Sequence, residues 1–169
     1  MAADEVMKSL SVGQLEVEDL LVRTDMVIKC PAAAGFIGET AGFEQLDDGM
    51  AIVDNSKTAC TYIIPVTGIK DGDYISGFAI YGGVTSGGTT VTVDASLKVL
   101  TAASGSPTNA TVGSITQVSK TGNYLLNDAA NFADYEVSQT LGFYILVTVT
   151  TGADAEVELI GANITVQQF

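Results

Sequence analysis

The stretch Thr90-Val91-Thr92-Val93-Asp94-Ala95-Ser96-Leu97-Lys98-Val99-Leu100 decides the fold. In an extended chain Val91, Val93, Ala95, Leu97 and Val99 fall on one side. Thr90, Thr92, Asp94, Ser96 and Lys98 fall on the other. Strict alternation of this kind marks a strand with one dry face and one wet face. Phe143, Ile145, Val147 and Val149 repeat it, with Tyr144, Leu146, Thr148 and Thr150 opposite. That second face is itself partly apolar, so the strand reads as central or covered on both sides. Residues 25–30, 51–53, 61–64, 74–81, 112–118 and 155–166 supply the remaining strands, the first stopped by Pro31. In the last, Val157 and Leu159 share one parity while Ile160, Ile164 and Val166 share the other. Gly161 lies at the change, which predicts a β-bulge.

Turn chemistry fills the gaps: Lys70-Asp71-Gly72-Asp73, Gly82-Gly83, Ser86-Gly87-Gly88, Ser104-Gly105-Ser106-Pro107 and Thr121-Gly122-Asn123. Strands at this spacing with hairpin-type connections predict an all-β protein, an antiparallel β-sandwich or jelly roll with an N-terminal arm. The expected division has three parts: residues 1–30 as the arm and first strand, serving assembly contacts; residues 31–48 as a connecting loop; and residues 49–169 as the sandwich. Residues 1–54 carry eleven of the acids against Lys8, Arg23 and Lys29, so the first third differs in character from the rest.

The chain has 169 residues, 47% hydrophobic and only 16% charged, with a mean hydropathy of +0.34. A membrane helix needs about 18–20 consecutive apolar residues, and the richest run, 143–149, is far shorter. No membrane partner is expected. A formal charge of −13 argues against nucleic acid, which is bound through clustered Lys and Arg, and against anionic lipid. Residues 1–5 are acidic and no apolar core follows them, so no secretory signal is expected.

Histidine is absent, which removes Ser/His and Cys/His nucleophilic pairs. Cys30 and Cys60 read as two reduced thiols packed as small apolar groups, with a disulfide between them as the alternative. They offer too few ligands for zinc. Paired carboxylates suffice for a glycosidase. However, Asp71 and Asp73 are turn residues, Glu156 and Glu158 read as a solvated strand face, and Asp47-Asp48 and Asp134-Tyr135-Glu136 read as polar loops. Asp71 with Asp73, or Asp128 with Asp134, would be the calcium ligands if there were any. The Gly-rich 84–90 segment lacks the basic residue of a phosphate loop and reads as a hairpin. No cofactor is expected. Sugar stacking would fall to Tyr74, Tyr81, Tyr124 and Tyr135, since tryptophan is absent.

The uncharged stretch 99–119 fits either a subunit contact or a hairpin buried within the monomer, because charge is depleted at interface cores. The candidate interface residues are Leu15, Val17, Leu20, Leu21 and Val22 in the arm, Leu100, Val112 and Ile115 in the neutral stretch, and the terminal Phe169.

Leu15-Glu16-Val17-Glu18-Asp19-Leu20-Leu21-Val22 is followed by Ala34-Gly35-Phe36-Ile37-Gly38 and by Tyr62-Ile63-Ile64-Pro65-Val66-Thr67-Gly68-Ile69-Lys70-Asp71-Gly72-Asp73. Ile75-Ser76-Gly77-Phe78, residues 90–99, Val112-Gly113-Ser114-Ile115 and residues 144–149 complete the order. This succession resembles the small β-sandwich structural proteins of tailed bacteriophage particles, of the head decoration (cement) or fibre type. The resemblance implies a non-enzymatic virion protein at the capsid surface, a homo-oligomer with a trimer favoured. Its N-terminal part would dock on the major capsid protein or another virion protein. The alternative reading is a phage fibre or adhesin module that binds surface carbohydrate through tyrosines. A glycosidase or lyase is the third.

Overall fold

The computed structural model describes residues 24–168 apart from 47, 104, 105, 117–119 and 139. Eleven strands run in order: β1 (Thr24–Pro31), β2 (Phe36–Ile37), β3 (Phe43–Gln45), β4 (Ala51–Asp54), β5 (Cys60–Val66), β6 (Tyr74–Ser86), β7 (Thr92–Ala103), β8 (Ser106–Thr116), β9 (Tyr124–Glu136), β10 (Thr140–Thr150) and β11 (Ala155–Gln168). A 3-10 turn, Ala32–Ala34, separates β1 from β2. One sheet has the order β3-β4-β11-β6-β9, with β1 also on β11; the other has β2-β5-β10-β7-β8. Every pairing is antiparallel.

The two sheets bury their alternating apolar faces against each other, as period two dictates. From β7 and β10, Val93, Leu97, Ile145, Val147 and Val149 are fully buried; from β6 and β11, Ile75, Ile80, Val157, Leu159 and Ile164 meet them. Each such side chain contributes about 1.5–3 kcal/mol by leaving water. Tyr62 is buried too, and its hydroxyl donates to the Ala32 carbonyl at 2.7 Å, so the buried polar atom is satisfied. Its ring lies 5.0 Å from that of Phe43.

Connectivity departs from the hairpin-type expectation. Only β3–β4 and β7–β8 are hairpins between bonded neighbours; most other connections pass from one sheet to the other, which makes the sandwich a jelly roll. The 84–90 segment is therefore not a hairpin: residues 84–86 end β6, and those after them cross to the other sheet. The three-part division also shifts. Strand β1 bonds to β11 over its full length and belongs to the sandwich, and β2 and β3 lie inside the 31–48 segment, one in each sheet. Gly82-Gly83 is not a turn: both residues sit within β6. A Cβ on Gly82 would lie 2.0 Å from the Glu158 carbonyl, so this glycine marks a close backbone approach. Strand β9 replaces the loop expected around Asp134-Tyr135-Glu136.

The bulge at Gly161 is present. Leu159 pairs with Gly82 and Gly161 with Tyr81, which leaves Ile160 as the extra, exposed residue. At the same place the outer partner of β11 changes. Strand β4 pairs with Glu156–Leu159 and β1 with Gly161–Gln168. Glycine is needed there because a Cβ would sit 2.6 Å from the Cys30 carbonyl oxygen and 3.1 Å from Pro31 Cα.

Candidate functional site

The outer face of the six-stranded sheet carries a shallow trough, and its origin is local. Along β6 the outward residues Gly77, Ala79, Tyr81 and Gly83 are mostly small, and Ala129 on β9 stands directly across from Ala79. These lay a low floor. Val27 on β1 and Ile160 at the bulge, 54% and 56% exposed, rise beside it as apolar walls. One depression of about 300 Å³ is bounded by Lys29, Pro31, Tyr81, Ile160, Gly161 and Asn163. Another of about 130 Å³ shares Tyr81 and Asn163 and continues past Val27, Ala79, Ala129 and Thr165. Beyond Tyr81 the surface runs over Gly83, where the Glu158 carboxylate lies close to the glycine, toward Leu125.

Tyr81 and Asn163 are the polar centre of this trough. The Asn163 amide nitrogen donates to the Tyr81 hydroxyl at 3.3 Å. That bond leaves the Tyr81 hydroxyl proton and the Asn163 carbonyl oxygen as one donor and one acceptor beside an aromatic face. Thr165 and Lys29 add a hydroxyl and an ammonium at the margins.

The other tyrosines named from sequence go elsewhere. Tyr135 packs edge-on against Phe143 at 6.1 Å between the ring centroids. Tyr124 packs against the core with the Lys120 ammonium 4.8 Å from its ring centroid, and burial together with nearby Asp128 raises its hydroxyl pKa. Tyr74 is half-buried at the start of β6. Asn163, Ile160 and Val27 were not picked out from sequence. The parity break at Gly161 was the one available signal, but it grouped Ile160 with Ile164 and Val166, which are core, whereas Ile160 is the exposed extra residue of the bulge.

The carboxylate candidates separate. Asp54 stands directly across from Glu156, and Glu158 follows on the same face, so the solvated-face reading of Glu156 and Glu158 holds. Desolvation, with Glu158 and Asp54 nearby, raises the Glu156 pKa. Asp73 is buried and its carboxylate accepts the Lys70 amide at 2.8 Å and the Gln168 side-chain amide at 3.4 Å; it staples a turn. Asp128 and Asp134 both lie on β9, six residues and roughly 20 Å of strand apart, too far to share a calcium ion. Among the described residues no group of three or more acids or cysteines could hold a metal ion. Cys30 and Cys60 are both free and buried, on different sheets.

Of the interface candidates, Leu100 is half-buried on β7 and Val112 is half-buried on β8, the strand at the edge of its sheet. Ile115 is in the core at 6% exposure. Leu15, Val17, Leu20, Leu21, Val22 and Phe169 lie outside the described residues. The neutral 99–119 stretch forms much of the β7–β8 hairpin.

No family model and no curated protein matches the chain. Solved structures of similar shape include the CBM22-1–GH10 modules of the Clostridium thermocellum endo-1,4-β-D-xylanase 10B. That match has 13% identity and a TM-score of 0.47, and covers 86% of this chain but 28% of that one. The low-affinity xylan-binding module CBM86 from Roseburia intestinalis matches at 14% identity and a TM-score of 0.46, over 83% of this chain and 94% of the module. Tailspike protein 4 of bacteriophage CBA120 matches at 11% and 0.43, over 87% of this chain and 20% of that one. At these identities and TM-scores the likeness says nothing of ligand or partner.

Proposed function

We propose that the protein is a non-enzymatic binding module that takes a carbohydrate chain in the trough of the six-stranded sheet. The observation that carries this reading is the pairing of Tyr81 with Asn163 over a floor of glycine and alanine. A pyranose ring has an apolar C–H face and a rim of hydroxyls. An aromatic face with one donor and one acceptor beside it is the matching surface. The trough is open and long, which suits a chain ligand better than a small molecule that must be enclosed. Soluble xylan and a glycan array are the first probes, read by affinity electrophoresis and calorimetry. Tyr81→Ala is expected to weaken binding ten- to a hundredfold, from the loss of about 1.5–3 kcal/mol of ring contact, with an unchanged far-ultraviolet spectrum. Binding that survives both Tyr81→Ala and Asn163→Ala overturns the reading.

A second proposal, attachment to a bacteriophage particle as a capsid decoration protein, follows from the sequence resemblance. The uncharged 99–119 stretch, which reaches the β8 edge of its sheet, favours it, since charge is depleted where proteins meet. Stoichiometric co-sedimentation with intact particles supports it; a chain left in the supernatant removes it.

A further inference from the structure

Charge is divided between the sheets. Among the strands, only Asp94 and Lys98 charge the five-stranded sheet, one of each sign. The six-stranded sheet holds Lys29 and all the other strand acids, from Asp25 to Glu158. In a chain of formal charge −13, the outer face of the five-stranded sheet is, among the described residues, a broad surface free of net charge.

That face carries a row whose first three residues are apolar and whose last two are serines, their hydroxyls 3.3 Å apart. Phe36 pairs with Ile63, Ile63 with Leu146, Leu146 with Ser96 and Ser96 with Ser114. The row crosses all five strands at right angles and all five residues point outward, as the parity of their buried neighbours Ile64, Ile145, Leu97 and Ile115 requires. Pro65 with Tyr144 forms the next row. The described residues place no strand over this face.

We infer that this face docks a second copy of the chain, with a two-fold axis running along the Phe36–Ile63–Leu146–Ser96–Ser114 row. The two charges supply the reason for choosing a second copy over another neutral partner. Asp94 and Lys98 lie on β7 two residues to either side of Ser96, on the same outward face. A two-fold along the row reverses the strand direction. It lays each Asp94 over the Lys98 of the other copy, while Leu146 and Ile63 meet their own counterparts. The surface is thus self-complementary in both charge and apolarity, as an isologous contact requires. Four strands at ~4.8 Å and seven residues at ~3.3 Å, with the two residues of β2 added, give roughly 480 Å² before side-chain relief is added. That is of the order of the ~800 Å² each partner buries in a standard interface. The trough on the opposite sheet stays open in such a dimer, one on each outer side.

Light scattering coupled to gel filtration tests this on the full chain. The wild type at about 100 μM, where a micromolar association is saturated, is expected at twice the monomer mass. Leu146→Glu is expected to weaken the dimer tenfold or more, and so are Lys98→Glu and Asp94→Lys singly. The double exchange Asp94→Lys with Lys98→Glu restores the cross-axis pairs and is expected to recover the wild-type dimer. That recovery also serves if Leu146→Glu fails to fold. A monomeric wild type, a dimer indifferent to Leu146→Glu in a folded variant, or a double exchange no better than the single variants overturns the inference.

Discussion

Cys30 shows how a single side chain takes its chemistry from its place in the fold. It is 4% exposed on β1, and burial pushes its thiol pKa up to about 11. The thiolate is the reactive form, so burial both shields Cys30 from reagent and keeps it protonated at pH 8. Cys60 is buried on the opposite sheet, with its thiol directed at the Ala41 carbonyl at 3.3 Å. Iodoacetamide at pH 8 is therefore expected to leave the native protein unmodified by intact mass, and to add two groups after unfolding in urea. A native adduct at Cys30 contradicts the burial described. Gly113 makes the complementary point about space. The Phe132 ring of β9 lies where a Cβ on Gly113 of β8 would be, at 2.5 Å, so this glycine lets the edge strands of the two sheets approach.

At the scale of the element, β11 organises its sheet and also carries its main electrostatic tension. It bonds β6 on one side and both β4 and β1 on the other, and the exchange between them occurs at the Ile160–Gly161 bulge. Its acid Glu156 faces Asp54 across the strand pair, and its pKa is raised above 4.5 by desolvation and by the carboxylates of Glu158 and Asp54. The folded state therefore holds this proton more tightly than the unfolded chain does. The resulting stabilisation is fully present below pH 4.5 and is lost as pH rises through the folded pKa. Like charges directly opposite cost about 0.2–1 kcal/mol. Glu156→Gln is expected to be more stable than the wild type by about that much at pH 7, with the advantage disappearing below about pH 4.5. Urea midpoints at the two pH values read this. An advantage that persists at low pH assigns the gain to something other than charge.

For the whole molecule, the consequence is two unlike faces on one sandwich. The six-stranded sheet is acidic, and its outer side is troughed around Tyr81 and Asn163. The five-stranded sheet is almost uncharged, with Phe36, Ile63 and Leu146 in a row on its outside. A core shared by both sheets holds the faces back to back, so a ligand on one leaves the other free for a neighbour. The carbohydrate and assembly readings can therefore both hold. Several copies of a weak trough, held in one assembly, gain affinity through avidity without a deeper pocket.

The alternation in 90–100 and 143–150 gives a sandwich of half-buried strands, because period two depends only on which residues leave water; the crossovers that make it a jelly roll are not in that pattern. Pro31 ends β1 and the parity break at Gly161 gives the bulge for equally local reasons. Strand β9 was illegible: Asn127, Asp128, Ala129 and Ala130 have little strand propensity, and only pairing with β6 holds them extended. Gly82-Gly83 looked like a turn because the backbone that crosses Gly82, at Glu158, is 76 residues away in sequence. The trough belongs to the same class of fact. Tyr81 and Asn163 stand 82 residues apart, and Val27 joins them from a third strand. Composition and spacing decided that this chain folds as two sheets of alternating strands. Which strands became neighbours, and hence where an aromatic ring, an amide and a neutral apolar row would lie, was decided by long-range pairing, which no local pattern encodes.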